Sequence, residues 1–245
     1  SRDLVEYAVS KGWCRSYEDF KFKSCYESRL YPYFTKGDAR QAITEGFLKS
    51  KAGSLEIRDM KNILRSHGRR LDVESFSAGS MECVCMHGGG IVSSQTTGSF
   101  IVQLTGGKIN IWATGSSLPC ISVYKPIWFT GSNSAFDEGN REELTGYWRR
   151  METLRRMALD GRIQELDEYL ILRDDLEDEL TKMAAEAETG EDKTKVTEYA
   201  FESEERLVEK TVANALSDNV YPSRMANKRG LYYKWYWRKQ NRMLK

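Results

Sequence analysis

Two runs rich in β-branched and aromatic residues, Thr97 to Leu104 and Lys108 to Ala113, flank the pair Gly106-Gly107. That arrangement commits the middle of the chain to a tight antiparallel hairpin, because adjacent glycines supply the positive φ angles a short turn needs. Met81 to Met86 is a short apolar run suited to a further strand. Cys120 to Phe129 suits another, with Pro126 at an edge or a break. The segment 80–130 therefore reads as an antiparallel meander.

Helical patterns lie on both sides of it. Leu4, Val5 and Ala8 share one face of a helix over 1–12 that ends at Gly12. Residues 13–37 carry Trp13, Tyr17, Phe20, Phe22, Tyr26, Tyr31, Tyr33 and Phe34 and read as an irregular loop pinned by large rings. Asp38 and Gln41 have capping-box spacing at the start of a second helix with Ala42, Ile43 and Phe47 inward. Ser54 is the expected N-cap of a third, with Ile57, Met60, Ile63 and Leu64 as its stripe and an end near Gly68. After Asp137 the chain turns helical again. Leu144, Trp148, Met151 and Leu154 repeat at helical spacing, then Ile163, Leu166, Leu170, Leu176 and Leu180. Residues 186–194 carry no apolar stripe and read as a mobile connection, followed by a helix from about Thr197 to Leu216. The class is α+β, expected as a core over 1–135 and a helical extension over 136–245.

Composition excludes several functions. A formal net charge of +1 in 245 residues favours no charged partner. No apolar run is long enough for a membrane span. Five cysteines with scattered spacing and no secretory leader point to a reducing, cytoplasmic setting. Only two histidines occur, His67 and His87. Cys83 and Cys85 have C-x-C spacing, but no second pair follows at zinc-site spacing, so neither metal nor cofactor is expected. Alternate strand residues would point the two thiols to opposite faces.

No G-x-S-x-G, Walker loop or dinucleotide fingerprint is present. His87-Gly88-Gly89-Gly90 matches the letters of an esterase oxyanion loop, but a strand-end turn explains it as well. Thr96-Thr97-Gly98-Ser99 sets three hydroxyls at a strand start beside a glycine that admits a ligand. Residues 224–245 hold eight Lys or Arg and no acid, with Tyr232, Tyr233, Trp235, Tyr236 and Trp237 among them. Such a tail can bind nucleic acid, yet packing on the body by its rings accounts for it, and no nucleic-acid partner is expected.

The segment Cys85-Met-His-Gly-Gly-Gly-Ile-Val-Ser-Ser-Gln-Thr-Thr-Gly-Ser-Phe-Ile-Val-Gln-Leu104 carries a resemblance. So does Trp112-Ala-Thr-Gly-Ser-Ser-Leu-Pro-Cys-Ile-Ser-Val-Tyr-Lys-Pro-Ile-Trp-Phe129. Together they resemble the secernin and peptidase C69 (dipeptidase) family of N-terminal-nucleophile (Ntn) hydrolases. Leu4 to Trp13, Arg58 to His67 and Tyr147 to Glu152 resemble its flanking segments, so the likeness spans about residues 1–220.

The resemblance implies the C-terminal part of a four-layer αββα sandwich. It also implies cleavage of amide bonds in dipeptides or small acyl amides by a cysteine at a chain's N-terminus, whose α-amino group acts as base. Every matching segment belongs to the C-terminal half of such proteins. The nucleophilic cysteine is therefore expected from another chain, the N-terminal half of the same hydrolase, and the chain is expected to be oligomeric. Ser1, set before a helix rather than a strand, is not expected to replace it. The expected substrate-pocket groups are His87, Gly88, Thr96, Thr97 and Ser99, and their catalytic roles stay open. A non-catalytic, secernin-like interaction protein is the alternative.

Overall fold

The computed structural model describes residues 3–28, 34–68, 80–89, 94–129, 141–217 and 231–242. Ser1, Tyr31, Tyr33, Gly90 and Asp137 lie outside these residues, as does the start of the basic tail.

The molecule is α+β. Helices α1 (Leu4–Ser10), α2 (Phe22–Tyr26), α3 (Gly37–Ser50) and α4 (Ile57–Arg65) come first. Strands β1 (Phe100–Thr105), β2 (Lys108–Ala113) and β3 (Lys125–Ile127) follow. Among the described residues four further helices follow: α5 (Arg141–Asp160), α6 (Leu166–Glu186), α7 (Gly190–Ser217) and α8 (Leu231–Arg242). The strands form one antiparallel sheet in the order β1-β2-β3.

The glycine hairpin forms as expected. Gly106 and Gly107 have φ of 58° and 76° and place Leu104 opposite Ile109 and Thr105 opposite Lys108. The meander is shorter than expected at both ends. Met81 to Met86 forms turns and bends instead of a strand. Of Cys120 to Phe129 only Lys125–Ile127 pairs with a neighbour.

Helix starts also differ. Asp38 makes no cap; it pairs with Lys23 at 2.5 Å, and the residue before α3, Lys36, sits in the left-handed region. Helix α4 is capped by Glu56 with Asp59 in a reciprocal box, two residues after Ser54. Residues 186–194 are largely structured. Thr189 and Asp192 bond each other's backbone N–H groups at 3.1 and 3.0 Å, and this box starts α7 at Gly190. Capping chemistry is polar, so no apolar stripe marks this start.

The rings of 13–28 pack on one another. Tyr26 meets Trp13 edge-on at 5.1 Å and stacks on Phe22 at 5.3 Å, while its hydroxyl donates to Leu4 O at 2.7 Å.

The irregular stretch 114–124 is the centre of the molecule, and apart from Gly115 all of it is buried. A loop inside a protein must satisfy backbone groups that no strand partner meets. Here charged and hydroxyl side chains do so. Arg65 donates to Pro119 O and Ser122 O, each at 2.8 Å. Arg155 donates to Ser117 O at 2.6 Å, Tyr169 to Ile121 O at 2.9 Å, and Arg173 to Cys120 O. Glu177 accepts from Tyr124 N at 2.6 Å and Glu204 from Val123 N at 3.0 Å.

Apolar clusters flank this loop. One gathers Leu118, Ile121, Met151, Leu154, Tyr169 and Trp237. The other gathers Ile101, Trp112, Tyr124, Leu180 and Ala200.

The sheet itself is covered on one side. Ile101, Trp112 and Pro126 share a row and are buried, with the Lys61 ammonium 4.4 Å from the Trp112 ring centroid. The pleat sends Phe100, Val102 and Leu104 of β1 and Ile109 of β2 to the opposite side, where all four are exposed, Leu104 by 74%. Ile111 and Ile127 extend the same face.

Candidate functional site

The expected pocket residues make separate sets of contacts. The Thr96 hydroxyl accepts from Met86 N at 3.0 Å, its N–H donates to Met86 O at 3.1 Å, and its carbonyl accepts from Leu118 N at 2.9 Å. Thr96 is thus a tie between the 80–89 segment and the central loop. Gly88 is buried, and its carbonyl accepts from Trp237 Nε1 at 3.1 Å. Ser99 accepts from the Tyr124 hydroxyl at 2.7 Å, and its N–H donates to the Thr114 hydroxyl at 3.1 Å. Of the expected residues Thr97 is exposed, as is Gly98 beside it. A cavity of about 60 Å³ elsewhere, lined by Arg162, Glu165, Tyr169, Lys210 and Thr211, includes none of these groups.

His87 belongs to a different constellation. His67, Cys85, His87 and Cys120 are all buried and turn one ligand atom each toward a common point. Those four atoms lie within 4.8 Å of one another. His87 Nε2 is 3.3 Å from Cys120 Sγ and 3.8 Å from Cys85 Sγ. The two imidazoles meet edge to face, with centroids 4.6 Å apart and planes at 72°.

Each member arrives by a separate route. His67 follows the end of α4, whose last helical residue, Arg65, is anchored on Pro119 O and Ser122 O. Cys85 and His87 stand two apart on the 80–89 segment. The Cys85 N–H donates to Ser66 O at 3.1 Å, and Cys83 turns away to donate its thiol to His67 O at 2.7 Å. Cys120 sits at the turn of the central loop, its carbonyl held by Arg173. Helix α8 packs nearby: Trp237 donates to Gly88 O and is buried in the same apolar cluster as Cys85 and Cys120.

The two thiols of the group differ. Burial pushes Cys85 far above the ordinary thiol range, with a hydrogen bond to Cys120 adding to it. Cys120 meets the same burial, but the bond from Cys85 and the adjacent His87 and His67 outweigh it and hold Cys120 well below that range.

In the sequence Cys83 and Cys85 stand as a lone pair with no second pair at zinc-site spacing, so no metal is expected from it. The structure selects Cys85 with His87 instead and brings His67 and Cys120 to them. The available signal was that both histidines of the chain lie in or beside the segments carrying the family likeness, one of them in a C-x-H step. Spacing alone could not show that His67 and Cys120 meet it.

No known family profile, curated protein or solved structure compared with this chain matches it.

Proposed function

We propose that the chain is the C-terminal half of a cysteine Ntn hydrolase of the peptidase C69 type, acting on amide bonds of dipeptides or small acyl amides. In this reading the nucleophilic N-terminal cysteine comes from a partner chain. The observation that carries the reading is the one-sided sheet. Helices cover Ile101, Trp112 and Pro126, while Phe100, Val102, Leu104 and Ile109 form an open apolar face beside an edge strand. A four-layer sandwich needs a second sheet on that face. The partner half with its own sheet is the occupant that fits both the face and the residues resembling the family.

The chain's own contribution would be positional. Thr97, Gly98 and Ser99 stand at the rim where β1 enters the sheet, and the covering half would turn this rim into pocket wall. Tyr124 fixes the Ser99 hydroxyl at 2.7 Å. Residues 114–124 of the likeness form the buried loop between β2 and β3.

The test is purification of the native assembly followed by intact-mass analysis and a dipeptide hydrolysis assay. A co-purifying chain with N-terminal cysteine, and hydrolysis lost on alkylation of that cysteine, supports the reading. A monodisperse, folded monomer with no partner overturns it. A partnered assembly inert on peptides and acyl amides points instead to a non-catalytic interaction protein.

A further inference from the structure

We propose that His67, Cys85, His87 and Cys120 bind one zinc ion as a closed structural centre that joins α4, the 80–89 segment and the central loop.

The geometry fits a tetrahedral ion. Zinc bonds sulfur at about 2.3 Å and imidazole nitrogen at about 2.0–2.1 Å. In a tetrahedron those lengths place a nitrogen and a sulfur ligand about 3.6 Å apart. His87 Nε2 stands 3.3 and 3.8 Å from the two sulfurs, on either side of that value, and no two ligand atoms are farther apart than 4.8 Å.

The donor set fits as well. Two thiolates and two imidazoles are the ligands a borderline-soft d¹⁰ ion selects in structural sites. On binding, each thiol enters as thiolate and any proton it carries leaves to solvent, while both histidines enter neutral. Two thiolates balance the charge of Zn²⁺, so the bound centre is neutral. That matters because all four residues are buried and a net buried charge would be costly.

A catalytic zinc keeps an open position for water or substrate. Here four buried protein groups supply a full set, and Trp237 is buried in the same apolar cluster as both thiols. The centre is therefore a clamp. It ties segments that share no strand pairing and sit at positions 67, 85–87 and 120, which stabilises the loop by removing conformations from the unfolded chain.

The arrangement also explains Cys83. Its thiol donates to the His67 carbonyl at 2.7 Å, which orients the backbone that carries a ligand. Cys83 is a positioning residue and not a member of the set.

The test uses the 245-residue chain produced in a reducing cytosol without a histidine tag. Elemental analysis should return close to one zinc per chain. Titration of the zinc-stripped chain with cobalt should give the visible ligand-field bands of a tetrahedral ion with sulfur-to-cobalt charge transfer. Cys120→Ala and His87→Ala should each lower metal content at least tenfold, while Cys25→Ala, at a buried cysteine outside the group, should leave it unchanged. Because the alanine variants can fail to fold, Cys120→His is the companion: it should keep the ion and shift the charge-transfer band to that of a single thiolate. A folded wild-type chain that holds no zinc and gives no tetrahedral cobalt spectrum overturns the proposal, as does a Cys85–Cys120 disulfide in the freshly isolated chain. None of these readouts depends on hydrolysis, so the zinc centre and the amidase reading stand or fall separately.

Discussion

Glu204 of α7 reaches Lys125 at the start of β3, and neither side chain has any exposed surface. The same carboxylate also accepts from Val123 N at 3.0 Å, from Arg155 Nη2 at 3.3 Å and from the Tyr147 hydroxyl. One helix residue thus balances two buried cations and a backbone N–H that no strand partner satisfies. The desolvation cost of such a centre is large, and it is offset only while every member is present.

Removing Glu204 should therefore cost more than removing its partner. Glu204→Ala strands Lys125 and Arg155 and should lower unfolding free energy by about 3–5 kcal/mol. Lys125→Met leaves the carboxylate with Arg155, Val123 N and Tyr147 and should cost less. Urea denaturation of the two variants beside the wild type checks the order; equal losses would count against this account.

Acid should weaken the fold through Glu177. Burial alone would raise its carboxyl, but Arg65 and Lys61 outweigh that and hold it at about 2 against an ordinary 4.5. A depressed carboxylate contributes stability above its unfolded value and loses it as pH falls through the folded one. Roughly 3 kcal/mol should disappear between about pH 4.5 and pH 2. Denaturant midpoints measured across that window should fall for the wild type, and Glu177→Gln should be less stable at pH 7 with a flatter profile.

Gly89 lies against α8. Its φ is +124°, and an added Cβ would lie 2.4 Å from Tyr233 Cδ2 and 2.8 Å from Trp237 Nε1. Gly89→Ala should therefore displace the helix and cost about 1–3 kcal/mol. Tryptophan fluorescence and faster proteolysis within 231–242 would report it. An unchanged emission spectrum and cleavage rate would show that α8 is not seated by this contact.

The open sheet face should control association. Leu104 and Ile109 lie directly opposite each other on it. Replacing them as the pair Leu104→Lys with Ile109→Glu puts opposite charges side by side, which a two-stranded ladder tolerates. Light scattering should show the wild-type chain alone as oligomeric and the double variant as monomeric, with circular dichroism unchanged. An oligomer that survives the exchange would place the interface elsewhere.

The amino-acid sequence by itself determined the elements whose signal is local. Gly106 and Gly107 between β-branched runs specify the hairpin, because only a few residues set a turn. The apolar stripe of Met151 and Leu154 specifies α5, because helical side chains repeat over one turn. The resemblance marked 112–129 as special without saying how. Tertiary structure decided the rest. Cys120 to Tyr124 has strand composition, but side chains from four different helices, Arg65, Arg155, Arg173, Glu177 and Glu204 among them, satisfy its polar groups, so it folds as a buried loop. His67, Cys85, His87 and Cys120 read singly as two histidines and two small buried thiols. Their meeting depends on the end of α4 being held against the central loop by Arg65, a long-range contact that no local period encodes.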